Sequence, residues 1–152
     1  MNKNRIKDEF LVRSFRENDF EAVADLWKQT EMGNPERGDD TDTILNTIRL
    51  GGKLFILEDK SSGRIAGTSW LTLDGRRIFL HHFGILPEFH GKGLSKLLLG
   101  ETLRFVKATG YQVKLEVHAT NHIAIKLYES FGFRHLGDYM VYIIRDVPNM
   151  NI

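Results

Sequence analysis

Hydrophobic and polar positions change period several times along the chain, and each change marks an element. Phe10–Phe15 (FLVRSF) is apolar and β-prone and reads as a first strand. Asn18-Asp19-Phe20-Glu21 sets a Glu three residues after an Asn, a capping-box pattern. Phe20, Val23, Ala24 and Trp27 then recur at helical spacing. Met32–Asp40 (MGNPERGDD) carries Gly, Pro and Asp and reads as a loop. A second helix over Thr41–Leu50 places Ile44, Leu45 and Ile48 on one side, and Gly51-Gly52 stops it. Lys53–Glu58 and Ile65–Leu73 are strands parted by the turn residues Ser61-Ser62-Gly63. Asp74-Gly75 is a hairpin signal leading into a fourth strand, Arg76–Ile85, which Pro87 ends. Gly91 and Gly93 precede a long helical pattern from Leu94 to Lys107. A fifth strand over Tyr111–His118, a short helix over Ile123–Ser130 and one or two strands within Phe133–Arg145 complete the series. Strands that first meander and then alternate with helices predict an α+β domain, a mixed sheet with helices packed on it.

Length narrows this to one domain spanning 1–152, with a core over about 10–145, because domains run roughly 100–200 residues. The polar, Pro-containing tail 146–152 is expected to fray. Hydrophobic residues are 41% and charged residues 27%, which excludes a disordered chain and a membrane protein. No charged and apolar leader opens the chain, so a cytoplasmic location is expected. The lack of cysteine removes disulfides, thiolate metal sites and a thiol nucleophile. A net charge of +1 argues against a nucleic-acid binder. Six histidines are present, but His118 and His122 straddle a strand end and a helix start, and there is no H-E-x-x-H run, so no metal is expected.

The chemistry concentrates in Phe83–Leu99 (FGILPEFHGKGLSKLLL): a strand, a loop with two glycines, then an amphipathic helix. Such a junction aims unpaired backbone N–H groups and the positive end of the helix dipole at one point, which suits a pyrophosphate. Lys92 and Lys96 add charge. An ordinary strand-to-helix turn explains the glycines equally well. The Walker pattern is absent, and the dinucleotide fingerprint lacks its third glycine after Gly91-Lys92-Gly93.

This segment resembles the acyl-CoA pyrophosphate loop of the GNAT N-acetyltransferase superfamily, [Q/R]-x-x-G-x-[G/A], falling on His90, Gly93 and Ser95 with His for Gln/Arg and Ser for Gly/Ala. Lys114–Phe133 (KLEVHATNHIAIKLYESFGF) is similar to the fifth strand and following helix of the same superfamily. Its N-x-x-A-x-x-[L/F]-Y-x-x-x-G-F pattern is met by Asn121, Ala124, Leu127, Tyr128, Gly132 and Phe133. The likeness runs more loosely from about Arg13 to Ile144. The resemblance implies a central sheet of 6–7 mostly antiparallel strands flanked by about four helices. It also implies acetyl-CoA as acyl donor, without metal, bound where the fourth and fifth strands splay apart. Phe83, Gly84 and Ile85 would pair with the pantetheine, Gly91, Lys92, Gly93, Leu94, Ser95 and Lys96 would hold the pyrophosphate, and Asn121 would touch the cofactor, although it also reads as a helix N-cap.

Direct attack of an amine on a thioester needs a base for the ammonium and an acid for the leaving thiolate. By resemblance Tyr128 is the acid; otherwise it is a packed helical aromatic. Glu116 in LEVHATN matches the base of the ribosomal-protein N-terminal acetyltransferase branch, yet alternation also places it with Lys114 on a solvated face. His81 and His82 compete for the role, and strand alternation sends their rings to opposite faces. The acceptor is a small-molecule amine or a peptide N-terminus, toward which LEVHATN leans, and the acidic stretch Asn34–Asp42 would attract a cation or simply be solvated. The family admits a homodimer. A non-catalytic acyl-CoA-binding module is the alternative, disfavoured because the acid and base candidates are both present.

Overall fold

Strand propensity becomes structure only where a neighbour completes the backbone ladder, and residues 10–85 supply that to one another. The computed structural model describes residues 3–152, in two compact units, Met1–His118 and Ala119–Ile152.

In the first unit, β1 (Phe10–Ser14), β2 (Lys53–Asp59), β3 (Ile65–Leu73), β4 (Ile78–Ile85) and β5 (Val113–Leu115) form one sheet in sequence order. The first three junctions are antiparallel and β4–β5 is parallel. A parallel neighbour requires a crossover, and α4 (Leu94–Thr109) provides it. Helices α2 (Phe20–Gln29) and α3 (Thr41–Arg49) cover one face of the sheet, where Trp27 Nε1 donates to Thr68 Oγ1 and Trp70 Nε1 to Thr47 Oγ1, each at 2.9 Å. On the other face Ser69 Oγ lies 2.8 Å from Thr102 Oγ1 of α4. Val23, Leu26, Ile44, Leu54, Ile56, Leu57, Leu98 and Leu99 are buried between these layers.

The sequence missed a short helix, α1 (Lys3–Glu9), whose single apolar residue, Ile6, shows no period. The capping box expected at Asn18 does not form. A 3₁₀ turn covers Glu17–Asp19, and the Asp19 carboxylate accepts from Arg13 at 2.7 and 2.8 Å and from the Arg16 N–H at 2.8 Å. Helix α3 does have its cap, with Asp40 Oδ1 accepting from the Thr43 N–H at 2.8 Å. Strand β5 is shorter than the expected Tyr111–His118 because its pairing ends at Leu80–Leu115, immediately before β4 bulges.

In the second unit, α5 (His122–Ser130) is capped by Asn121, whose side chain accepts from the Ala124 N–H at 3.2 Å. The strands expected within Phe133–Arg145 are not formed, which leaves a sheet of five strands and five α-helices among the described residues. The run Tyr139–Ile144 has strand composition, but its own unit contains no strand to pair with, and its side chains are exposed. No described helix is long and apolar enough to cross a membrane.

Candidate active site

The site is organised by a bulge. Thr68 pairs with Gly84 and Trp70 with His81, so His82 and Phe83 stand opposite Ser69 alone. His82 takes up the extra residue in the left-handed region, at φ 43°, a conformation rare for residues other than glycine. Thr68 Oγ1 donates to the His82 carbonyl at 2.8 Å and holds the bulge in place.

The bulge overturns the expectation that His81 and His82 point to opposite faces. The His82 ring lies against Trp27 and Trp70, with centroids 4.5 and 5.2 Å away. His81 Nε2 meets Thr72 Oγ1 at 2.7 Å on the same side, and its ring stacks on Phe79 at 4.2 Å. The two imidazoles are 6.4 Å apart. Burial, reinforced by the neighbouring His82, pushes His81 down to about 4. Burial also lowers His82, and Asp39 works against it. Both rings are therefore neutral at pH 7, the form in which an imidazole accepts a proton.

The α2–α3 loop closes over this cluster. Asp39 Oδ2 lies 3.2 Å from His82 Nε2, and Gly33 is so close that a Cβ there would stand 3.1 Å from the ring. Met32 rests on Gly84, whose missing Cβ would be 2.7 Å from its sulfur. The end of the Met32 side chain thus fills the space a Gly84 Cβ would take, and the glycine also borders the bulge. Asp39, Gly33, Met32, Trp27 and Trp70 were not legible as site residues. Only the acidic lean of the loop was visible, and no spacing rule connects a loop carboxylate with a bulged strand residue.

Beyond the bulge, Gly84 pairs with Thr68 and Ile85 with Gly67, while the β4–β5 ladder has already stopped at Leu80. Phe83 is half-buried against the core. A 3₁₀ turn, Pro87–Phe89, leads into the glycine loop, where His90 Nε2 lies 2.8 Å from the Ile85 carbonyl. Gly91 and Gly93 adopt φ 77° and 75°, which the turn into α4 requires of a residue without Cβ. Leu94, Ser95 and Lys96 begin the 16-residue α4, and first-turn N–H groups of a helix have no partner inside it. No acidic residue stands in that turn, and Lys92 Nζ is held 5.6 Å above the Phe89 ring. A cation and the amides of a helix turn without acidic residues fit the pyrophosphate of acetyl-CoA.

Glu116 is exposed one residue beyond β5. Asn121 and Tyr128 belong to the second unit. The Asn121 side chain caps α5. Tyr128 is buried, its ring 5.7 Å from that of Phe133, and burial pushes its hydroxyl up to about 12. Among the described residues no group of three or more His, Asp or Glu is placed to hold a metal ion.

Residues 20–133 match the Acetyltransferase (GNAT) family, and the chain belongs to it. Solved structures share the fold at low identity. The aminoglycoside N-acetyltransferase AAC(6')-Iy, in complex with a bisubstrate analogue, is 20% identical over 90% of this chain and 98% of its own, with a TM-score of 0.72. A Trypanosoma brucei acetyltransferase is 22% identical over 90% of this chain and 100% of its own, with a TM-score of 0.72. The Escherichia coli ribosomal-protein-S18-alanine N-acetyltransferase is 22% identical over 82% and 77%, with a TM-score of 0.69.

Proposed function

We propose that this acetyltransferase moves an acetyl group from acetyl-CoA to a primary amine, a small molecule or a peptide N-terminus, by direct attack in a ternary complex. The observation that carries the reading is the end of the β4–β5 ladder at Leu80, followed within one loop by the glycine-turned start of α4. A strand edge and a set of helix amides then follow one another along β4 and its loop. The family match spans residues 20–133 and so runs across both units.

Acetyl-CoA brings the activated acyl group as a thioester. The backbone of Phe83, Gly84 and Ile85 binds the pantetheine arm as an added strand would be bound. The amides of Gly91 through Lys96, with Lys92, neutralise the pyrophosphate. Asn121 contributes a cofactor contact besides its cap. His82 takes the proton of the acceptor ammonium, which makes the nitrogen lone pair available for attack. Tyr128 gives its hydroxyl proton to the departing sulfur. Glu116, exposed one residue beyond β5, is the alternative base.

The test is CoA release by the purified chain with acetyl-CoA across a panel of amines and N-terminal peptides. Turnover on one acceptor class is expected, reduced about 100-fold or more in Tyr128→Phe. Full turnover by that variant would remove Tyr128 from the acid role. Failure to bind acetyl-CoA would overturn the reading of the glycine loop.

A further inference from the structure

We propose that Asp39 is a positioning residue, whose carboxylate holds the Nε2 side of the His82 ring and so presents Nδ1 as the nitrogen that takes the acceptor's proton. The proposal rests on the reading of His82 as the base.

The ring has little freedom. Trp27 and Trp70 flank it, Gly33 lies against its edge, and the bulged backbone beneath it is bonded to Thr68. Nε2 is wholly buried and makes no aligned hydrogen bond, so the Asp39 carboxylate at 3.2 Å is the acceptor within its reach. Asp39 is itself held, since the same oxygen accepts the Asn34 N–H at 2.6 Å. Both side chains are largely out of water, at 14% and 16% exposure.

These facts select a tautomer. With the proton on Nδ1, the Nε2 lone pair would face a carboxylate at close range in a poorly solvated pocket. With the proton on Nε2, the carboxylate 3.2 Å away meets no lone pair of the ring, and the lone pair sits on Nδ1. In the proton transfer, the ammonium N–H bond breaks, its electron pair stays on the amine, and the proton bonds to Nδ1. The imidazolium that forms is stabilised by Asp39. Around the ring, α2 contributes Trp27, β3 contributes Thr68 and Trp70, the loop contributes Gly33 and Asp39, and β4 contributes His81. Of these only Asp39 and His81 titrate, and Asp39 is the one that opposes burial in raising the ring's proton affinity.

The loop that carries Asp39 also carries Met32, which rests on Gly84, and Gly33, which rests on the ring. A displacement of this loop by an arriving acceptor would therefore change the base as well as the space around it. Proton affinity and acceptor fit are joined in one segment.

Nitrogen-15 NMR of histidine-labelled protein tests this without any acceptor, with His82 assigned by its loss in His82→Gln. The expected result is an Nε2-protonated neutral ring in the native chain. In Asp39→Asn the ring should protonate about one pH unit lower, while Asp39→Glu keeps the native tautomer. On an acceptor found in the CoA-release panel, Asp39→Asn should lower kcat, shift the acid limb of its pH profile down and leave the KM for acetyl-CoA unchanged. A native ring protonated on Nδ1, or an unmoved titration in Asp39→Asn, overturns the proposal whether or not the variants fold well. Full turnover by His82→Gln would instead overturn the base reading, and the proposal with it, whatever the tautomer.

Discussion

At the scale of single residues, the site depends on contacts that leave no room. Gly33 does not need its glycine for backbone conformation, because its φ is not positive. Its constraint is steric, since a Cβ would stand 3.0 Å from Trp27 and 3.1 Å from the His82 ring. Gly33→Ala is therefore expected to push the imidazole off its place against the two stacked indoles. The cost should be about 1–2 kcal/mol of stability in urea unfolding, with a fall in turnover beyond what the unfolded fraction explains. Unchanged turnover with unchanged stability would show that the ring yields freely. The sequence offered the histidine pair, the glycine loop and Tyr128 as candidates. The face occupied by His82 was not, because regular alternation is the only rule available to a reader of sequence, and one residue in the left-handed region inverts its result. The role of the Asn121 side chain as a cap was legible from its place before a helix.

At the scale of elements, agreement was closest where a local rule and a packing partner coincide. Strand β3 lies at Ile65–Leu73 as read, and α3 ends where Gly51-Gly52 stops it. Elements were lost or gained where pairing decided the outcome. Strand β5 keeps three residues because β4 offers three, and Phe133–Arg145 has strand composition without a ladder in its unit. Helix α1 was invisible with one apolar residue to show. The junction of β1, β2 and α2 was also hidden, because it is ionic. Arg13 binds Asp19 through two nitrogens and Glu58 through Nε at 2.5 Å. Burial resists ionisation of Asp19, yet Arg13 and the Arg16 N–H outweigh it and hold the carboxyl below its usual range. Arg13→Met would leave two carboxylates together with only the weaker influence of Arg16 on Asp19. About 3 kcal/mol of destabilisation is expected in urea unfolding, and a loss below 1 kcal/mol would show that the network is only surface decoration.

For the whole molecule, the buried histidines make the fold sensitive to mild acid. In the unfolded chain an imidazole binds a proton near pH 6.5, while folded His81 does so only near 4. Between those values the unfolded state holds more protons, so stability falls as pH is lowered from 6.5 toward 4 and is insensitive to this group above 6.5. Asp19 adds to the same trend at the acid end, because its stabilising charge is lost as pH falls through its lowered folded value. Urea midpoints at pH 7.5 and pH 5 should differ, and His81→Gln should narrow the gap; an equal gap in the variant would assign the acid sensitivity elsewhere. The bulge has a last consequence, which concerns length rather than chemistry. Insertions at the Ser61–Gly63 or Asp74–Gly75 turns merely lengthen a connection. In β4 the count of residues between Leu80 and Gly84 is a parity, and losing or gaining one would exchange the side of the sheet on which every later side chain of the strand emerges. Changes of reading length, which most of this chain tolerates as slack, are in that one strand equivalent to turning the site inside out.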